Sequence, residues 1–298
     1  ISIQAPDETG ATVISVYKGA PADLAGIRKG DIITKVNGKD TANKSLNEVI
    51  TFFSQDTTVP DEITYVRDGV ATTVSLLRAE VHIERVTSSV LQGNIGYVHI
   101  SEFNGSVATD FTSAVDALAK QGIGNLIIDL RDNPGGGLTE VLNVAYQLVP
   151  KDKVIVSIRA KNGDEDVYKS QGDKQYSMRL VVLVNGDSAS ASELLTGALK
   201  DYKLATIVGT QTFGKGIVQS YFHLSNNKGW VKMTTDAYYT PNGVCIHGVG
   251  ITPDIVVDLP EELKGTSIDL IDPAKDTQLQ AAIKVFAQQA NATETAQR

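Results

Sequence analysis

The chain has 298 residues, of which 42% are hydrophobic and 21% charged, so it can bury the core of one large or two ordinary globular domains. Its formal net charge of −8, with no long basic run, argues against nucleic-acid binding, which needs clustered lysine and arginine. Cys245 is the only cysteine, which excludes an intrachain disulfide, and the scattered histidines predict neither a metal site nor another cofactor.

Residues 1–80 are predicted to form a small β-rich module. Two apolar runs near the start are separated by Pro6 to Gly10, a hairpin signal. A Gly-Asp-Ile-Ile strand follows and ends in the Asn37-Gly38 turn, and a second hairpin is centred on Asp68-Gly69. Between them, Leu46 to Phe53 has helical spacing of its apolar residues. We place a domain boundary near residue 80 and a second domain at 81–298.

The run AGIRKGDIITKVNG, residues 25–38, resembles the centre of a PDZ domain. PDZ domains bind a peptide tail as an extra strand at a sheet edge, beside a helix. The glycine-hydrophobic-glycine loop that normally precedes this strand is absent, so the module is expected to be N-terminally incomplete and carboxylate capture to be removed or impaired. By this resemblance the peptide-contacting residues are Ile1, Ile3, Leu46, Val49 and Ile50.

The chain begins abruptly at Ile1, in what resembles the middle of a strand, and contains no stretch typical of a signal peptide or a transmembrane helix. We interpret it as a fragment or a mature form, with any export signal or membrane anchor located upstream.

Strands alternate with helices after residue 95, which predicts an α/β core. A helix is expected from Thr109 to Lys120, a buried strand from Asn125 to Leu130 and another helix from Thr139 to Leu148. Three glycines, residues 135–137, lie between that strand and the following helix. This is a position where backbone approaches a partner closely, although a tight turn is the alternative. A last helix is predicted from Thr277 to about Gln289.

The stretch from Val181 to Gln219 carries the most chemistry. A buried strand leads through a turn to Ser188, Ser190 and Ser192 and then to a helix, which places a serine where backbone N–H groups can stabilise an oxyanion. A second buried strand leads to Lys215 between two glycines, and burial there would lower the pKa of the lysine toward that of a general base. The alternatives are a helix cap and a solvated loop, and the pattern does not choose among the three serines.

The segments SASASELLTGALKDY and VGTQTFGKGIVQ, residues 188–202 and 208–219, closely resemble the signature of the C-terminal processing peptidases, peptidase family S41. Members of this family are serine proteases with a Ser-Lys dyad. The resemblance implies that Ser190 is the nucleophile, Lys215 the general base and Gln219 the residue that orients the lysine.

Two further runs match the same family. DLRDNPGGGL, residues 129–138, matches the motif that supplies one oxyanion-hole N–H, which we assign to Gly135 or Gly136, with Ala191 as the second donor. Asp129 and Arg131 are expected to brace this loop. TPNGVCIHGVGITPD, residues 240–254, is expected to shape the site. The resemblance also implies an α/β core of the Clp protease and crotonase type, preceded by the small PDZ-like β-rich domain.

The expected function is therefore a serine endopeptidase that cleaves protein or peptide substrates recognised by unstructured, apolar C-terminal segments. Family members usually work outside the cytoplasm, which implies an extracytoplasmic location, in the periplasm or cell envelope. A homo-oligomer is compatible with the sequence.

Three other functions stay open. The chain could be a catalytically latent PDZ scaffold, a peptidase with a Ser-His-Asp triad that uses His223 or His247, or a crotonase-like enzyme acting on thioesters. A further hypothesis concerns regulation: Arg67, at a hairpin end of the PDZ-like module, could link peptide binding to the dyad, although a solvated arginine is the simpler interpretation.

Overall fold

The structure, a computed structural model, divides the chain into two compact units, Ile1–Glu84 and Arg85–Arg298. The division falls shortly after the predicted boundary at residue 80. The residues described are 1–4, 6–17, 19–81, 84–172, 176–224, 229–268 and 271–296.

The first unit is an antiparallel sheet with two short helices. Its strands follow the order β1-β2-β3-β5-β6, and β4 pairs with β3. The elements are β1 (Ser2–Ile3), β2 (Ala11–Ser15), α1 (Pro21–Leu24), β3 (Ile32–Val36), β4 (Lys39–Asp40), α2 (Leu46–Ile50), β5 (Asp61–Arg67) and β6 (Val70–Leu76).

Helix α2 is shorter than the predicted helix. Ser45 and Glu48 form a reciprocal capping box at its start, and Thr51 already caps its end. Val49 is fully buried in the core of the unit beside Ile33 and Ile63, because it occupies the inward face of this short helix.

The second unit contains a six-stranded sheet and a four-stranded sheet. Its elements are β7 (Val86–Leu91), β8 (Ile95–Ile100), α3 (Val107–Lys120), β9 (Asn125–Asp129), α4 (Leu138–Ala145), β10 (Val154–Ala160), β11 (Glu165–Lys169), β12 (Arg179–Val184), α5 (Ala191–Asp201), β13 (Ala205–Gly209), β14 (Ile217–His223), β15 (Trp230–Tyr239), β16 (Ile255–Val256), a short 3₁₀ helix (Glu261–Leu263) and α6 (Thr277–Ala296). Helix α6 continues beyond the predicted end near Gln289.

The larger sheet has the order β16-β13-β12-β9-β8-β7 and is parallel from β16 to β8, with β7 antiparallel at one edge. Both faces are covered, which explains the continuous apolar runs in its strands. Leu126 and Ile128 of β9 belong to the main core, with residues of α3, α4 and α5, whereas Ile127 contacts the cluster formed with α6. The parallel arrangement brings the carboxyl ends of β9, β12 and β13 to one edge, where the candidate site lies.

The smaller sheet is antiparallel, with the order β11-β10-β15-β14. Within the described residues, no helix has both the length and the apolar composition needed to cross a membrane, and no three His, Cys, Asp or Glu side chains group as metal ligands would.

Candidate active site

Ser190 lies in the sharp turn between β12 and α5, immediately before the first residue of the helix. Its backbone has φ 55° and ψ −113°, a conformation that a residue with a Cβ atom rarely adopts. Strained strand-to-helix turns of this kind present the nucleophilic serine in α/β-hydrolases. The strain at Ser190 therefore indicates a functional constraint rather than a simple helix cap.

The structure distinguishes the three serines that the sequence pattern left equivalent. Ser188 and Ser192 are fully buried, and their hydroxyls donate to the carbonyl oxygens of Leu130 at 2.7 Å and Asn133 at 3.0 Å. Ser190 is partly exposed, and its hydroxyl, which faces the Glu193 N–H in a capping box, donates its proton to none of the described residues. Of the three hydroxyls, only that of Ser190 is available to a substrate.

The triple-glycine loop contacts the Ser190 turn directly. A Cβ atom at Gly135 would lie 2.8 Å from Ser190 Cβ and 3.0 Å from Ala191 N, so only glycine fits this approach. The Gly135 N–H, however, donates to Asn133 Oδ1 at 2.9 Å and is not free. The N–H groups of Gly136 and Ala191 donate to no acceptor in the described part of the chain. Of the two glycines assigned from the sequence, Gly136 is therefore the better placed as an oxyanion donor.

Asn133 fixes the glycine loop to the serine turn. It is fully buried; its amide nitrogen donates to the Ile100 carbonyl at 2.8 Å, and its own carbonyl accepts from Ala189 N–H and the Ser192 hydroxyl, both at 3.0 Å. The side chain of Asn133 thus joins the end of β8 to the glycine loop, and its backbone carbonyl joins the same loop to the serine turn. Sequence reasoning missed this role, because a lone asparagine before Pro-Gly resembles an ordinary turn residue.

Glu193, in the first turn of α5, joins the serine turn to the lysine loop. It is fully buried, and its Oε2 accepts from the N–H groups of Ser190 at 2.9 Å and Lys215 at 2.8 Å. Its Oε1 accepts from the Thr212 hydroxyl and the Gly214 N–H, both at 2.7 Å. The backbones of the two candidate catalytic residues are therefore bound to the same carboxylate oxygen.

The lysine loop is also held from its other side by the segment 240–254. Ile251 N–H donates to the Thr212 hydroxyl at 2.6 Å, and Gly248 N–H donates to the Gly214 carbonyl at 2.9 Å. A Cβ atom at Gly214 would lie 3.1 Å from the backbone nitrogens of Val249 and Gly250. This segment shapes the loop through backbone contacts, as its sequence predicted.

Lys215 itself is exposed, which corrects the prediction that it lies buried. The glycines on either side are buried, but they hold the backbone of the loop and leave the lysine side chain to solvent. The side chain lines an open cavity of about 370 Å³ with Asp132, Pro134, Asp187, Ala189 and Phe213. Its amine forms no hydrogen bond with the Ser190 hydroxyl in this structure.

Gln219 and two histidines complete the sequence assignments. Gln219 lies exposed in β14, and its amide is not bonded to Lys215. His223 is at the far end of the same strand, edge-on to Trp230 with ring centroids 4.7 Å apart, and His247 is exposed beside the backbone of Gly216. Neither of these histidines bonds to Ser190, so neither forms the Ser-His pair that a triad with His223 or His247 would need.

A buried ionic network supports the turn that follows β9. Arg131 donates to both oxygens of Asp129, and its far nitrogen contacts Asp276 and Gln278 at the start of α6. Burial by itself would raise the pKa of Asp129, but the Arg131 charge and its hydrogen bonds outweigh this and lower the pKa below its usual range. As expected, these residues brace the loop.

Comparisons with known proteins agree with this geometry. The family model of Peptidase family S41 matches residues 94–257, and a PDZ domain model matches residues 12–60. The chain belongs to peptidase family S41. Its α/β unit is therefore a Clp protease/crotonase-like core, and the unit before it is a PDZ domain.

Individual proteins that resemble this chain also point to the S41 family. A carboxy-terminal-processing protease of Bartonella bacilliformis is 36% identical over 87% of this chain and 61% of its own length. A probable CtpA-like serine protease of Staphylococcus aureus is 36% identical over 84% of this chain and 50% of its own length. The solved photosystem II D1 C-terminal processing protease is 34% identical, with a TM-score of 0.56 over 89% of this chain and 74% of its own. The chain spans roughly half to three-fifths of the curated relatives it matches.

The residues assigned to peptide binding lie in the PDZ domain of this S41 chain. Strand β1, with Ile1 and Ile3 at or beside it, is an edge of the sheet, and both side chains are half-buried. Leu46 and Ile50 of α2 are 37% and 55% exposed, whereas Val49 is in the core, where it serves packing rather than a surface. Their peptide contacts stay a prediction.

Arg67 is not a solvated arginine, because it forms a bidentate ion pair with Asp31. Its Nε and one terminal nitrogen donate to the two carboxylate oxygens at 2.7 Å, and the same terminal nitrogen donates to the Gly26 carbonyl at 2.7 Å. These contacts lie inside the PDZ domain. A regulatory role for Arg67 stays a prediction.

Proposed function

We propose that this chain is a serine endopeptidase that hydrolyses polypeptide substrates through an acyl-enzyme, with Ser190 as nucleophile and Lys215 as general base. The observation that supports this best is the Ser190 turn. It combines a strained backbone, a hydroxyl that donates to none of the described residues and two uncommitted N–H groups, on Gly136 and Ala191, at the start of a helix. Acyl transfer requires this combination of a nucleophile and oxyanion donors.

In this mechanism Ser190 Oγ attacks the scissile carbonyl carbon, and its proton passes to the Lys215 amine. The carbonyl oxygen becomes an oxyanion that the N–H groups of Gly136 and Ala191 stabilise. When the tetrahedral intermediate collapses, the C–N bond breaks and Lys215 returns the proton to the leaving amine. Water then attacks the ester in the same way and releases Ser190 and the new carboxyl terminus.

Lys215 must be neutral to accept the proton, and it is exposed in this structure. A substrate that fills the cavity beside Lys215 would exclude water from the amine and so favour its neutral form. Gln219, which lies in β14 four residues after Lys215, would then orient the amine. The Glu193 carboxylate binds the backbone N–H groups of Ser190 and Lys215. It therefore keeps the two residues close enough for the amine to reach the serine hydroxyl without a large movement.

The proposed substrates are proteins with unstructured, apolar C-terminal segments, which the PDZ domain would bind as an added strand. Strand β1 at the sheet edge and the exposed Leu46 and Ile50 of α2 support this mode. An extracytoplasmic location is proposed on the family resemblance alone.

The test is degradation of an unfolded protein with an apolar C-terminus by the unaltered chain, Ser190→Ala and Lys215→Ala. Cleavage is expected only with the unaltered chain. Lys161→Ala, which removes an exposed lysine in the turn between β10 and β11, is the matched control and should keep full activity. Full activity in Ser190→Ala or Lys215→Ala would contradict the assignment of that residue.

A latent scaffold is the alternative, supported by the exposed Lys215 and by the absent bond between its amine and the Ser190 hydroxyl. A fluorophosphonate probe discriminates the two, since it labels a serine only when the serine is activated. Labelling of Ser190 that increases when peptide is added supports the peptidase; no labelling under any condition supports the scaffold.

A further inference from the structure

The outer edge of β14 is unpaired. This strand, Ile217–His223, is the last in the order β11-β10-β15-β14 and pairs only with β15. For Ile217–Gln219 and for Phe222 and His223, no backbone group of the described residues bonds to the other side of the strand. An edge strand of this length offers a row of N–H and C=O groups to any extended chain that approaches it.

The register shows which residues carry the free groups. At one end of the hairpin Tyr238 N–H donates to Gly216 O at 2.9 Å, and at the other Leu224 N–H donates to Gly229 O at 3.0 Å. In an antiparallel pair, residues face the partner strand alternately. The backbone groups of Gly216 and Leu224 both face β15. The register shift beside Val218 places its extra residue in β15 and not in β14. The alternation of inward and outward residues along β14 is therefore unbroken. The residues whose backbone groups face outward are Ile217, Gln219, Tyr221 and His223.

The opposite edge of the same sheet is built differently. Strand β11 has the sequence EDVYK, with three charged residues of five, whereas β14 has the sequence IVQSYFH, with none. Charges on an edge strand discourage other chains from pairing with it. Only the β14 edge lacks this protection, which is a liability for a soluble domain unless the edge has a partner.

The position of β14 indicates what that partner is. The strand begins two residues after Lys215, whose backbone shares a carboxylate oxygen of Glu193 with Ser190. A chain paired along all seven residues would extend about 23 Å, at roughly 3.3 Å per residue, and its end would reach the cavity that Lys215 lines.

We propose that the polypeptide substrate binds as an additional strand on the outer edge of β14, and that this pairing delivers the scissile bond to Ser190. The inference rests on the proposed peptidase function. Backbone pairing would let the enzyme accept many sequences, since the hydrogen bonds are made to groups common to all peptides and only alternate side chains meet the protein surface.

The first test is an ester scan of a bound peptide. A labelled, non-repeating, apolar decapeptide with a C-terminal amide is titrated against the Ser190→Ala chain, and six central backbone amides are replaced by esters one at a time. An ester lacks the N–H donor, so binding is expected to weaken about threefold to tenfold at every second position and to change little between them. Equal effects at all positions, or none at any, would overturn the proposal.

The second test identifies the strand, since the PDZ domain is also expected to pair with peptides. Tyr221→Pro removes an outward N–H of β14 and leaves the bonds to β15 in place, while Tyr221→Ala removes the side chain and keeps the N–H. Val167→Pro is the control, because the backbone groups of Val167 face outward on β11. The Ala160 N–H donates to the Asp164 carbonyl, so Asp164 faces β10, and Val167 lies an odd number of residues after Asp164. Tyr221→Pro should abolish the two-residue period, and Tyr221→Ala and Val167→Pro should keep it.

Thermal unfolding of each variant shows whether the fold survives, and the ester scan on the chain with Tyr221 intact decides the matter if Tyr221→Pro does not fold. A period that persists in folded Tyr221→Pro assigns the pairing to another edge and overturns the proposal. The proposed function fails separately. If the chain never cleaves, but the two-residue period is present with Tyr221 intact and absent in Tyr221→Pro, the chain binds peptides on β14 without being a peptidase. A chain that cleaves without the period is a peptidase that holds its substrate otherwise.

Discussion

The serine turn and the lysine loop are joined by one carboxylate, yet they are built in opposite ways. Around Ser190, the residues Ser188, Ser192, Asn133 and Glu193 are fully buried, and each has hydrogen-bond partners. Beyond the backbone of Lys215, the lysine side chain, Phe213 and Gln219 are exposed. The chain thus preorganises the groups that meet the oxyanion and leaves open the side from which a polypeptide must arrive. Preorganised dipoles contribute most to such reactions, whereas a base can be positioned by the substrate itself.

The largest effect is expected for Glu193→Ala, which removes the carboxylate that contacts both regions. Four donors lose their acceptor: the Gly214 N–H and the Thr212 hydroxyl in buried positions, and the N–H groups of Ser190 and Lys215 in partly buried ones. At about 1–3 kcal/mol for each unsatisfied buried group, the two buried donors alone should lower the free energy of unfolding by roughly 2–6 kcal/mol. Urea unfolding measures this.

Glu193→Gln is the conservative partner of that variant, since it keeps one acceptor oxygen. It should recover part of the stability but little of the activity, because an amide nitrogen now faces N–H donors on one side. A Glu193→Gln chain as active as the unaltered one would show that Glu193 supports only the fold and does not position Ser190 and Lys215.

The next effect concerns the serine turn alone. Gly135→Ala would place a methyl group 2.8 Å from Ser190 Cβ and should lower kcat about 100-fold by displacing the turn from the oxyanion donors. Gly163→Ala is the matched control: Gly163 also has a positive φ, 94° against 104°, but no atom lies within 4 Å of the added methyl. The control should lose about 1 kcal/mol of stability and no activity. Equal kcat values in the two variants would argue against a preorganised turn.

A smaller effect is expected from acid. Because the folded-state pKa of Asp129 is lowered, its ion pair with Arg131 contributes stability that is complete above the unfolded-state pKa and is lost as the pH falls through the folded-state value. The free energy of unfolding should therefore decrease below about pH 4, and Asp129→Asn should flatten that dependence. The buried network belongs to the serine side, so activity should decline with the fold rather than before it.

The sequence was sufficient for the elements whose patterns are local. The buried strands β9, β12 and β13 and the helices α3 and α5 follow from apolar runs and helical spacing. The exposure of Lys215 was not predictable, because two buried glycines constrain the backbone beside it without covering its side chain. The roles of Asn133 and Glu193 depend on contacts across loops that are distant in the sequence, as between Glu193 and Lys215. Strand β14 was missed because IVQSYFH has no alternation of apolar and polar residues.

The smallest effect on stability is expected at the exposed lysine loop, and it distinguishes this loop from the buried serine turn. Phe213 is 63% exposed and lines the cavity beside Lys215, so Phe213→Ala should change the free energy of unfolding by less than about 0.5 kcal/mol. It should nonetheless raise KM several-fold and leave kcat nearly unchanged, because the ring offers apolar surface to a bound substrate, whereas the backbone N–H of Phe213, which donates to the Ser188 carbonyl at 3.1 Å, is kept in the variant. Val256→Ala, which shortens a side chain that is 70% exposed in β16, is the control and should alter neither constant. If Phe213→Ala instead lowered kcat with KM constant, the lysine side would have to be preorganised as well, and the contrast between the two regions would not hold.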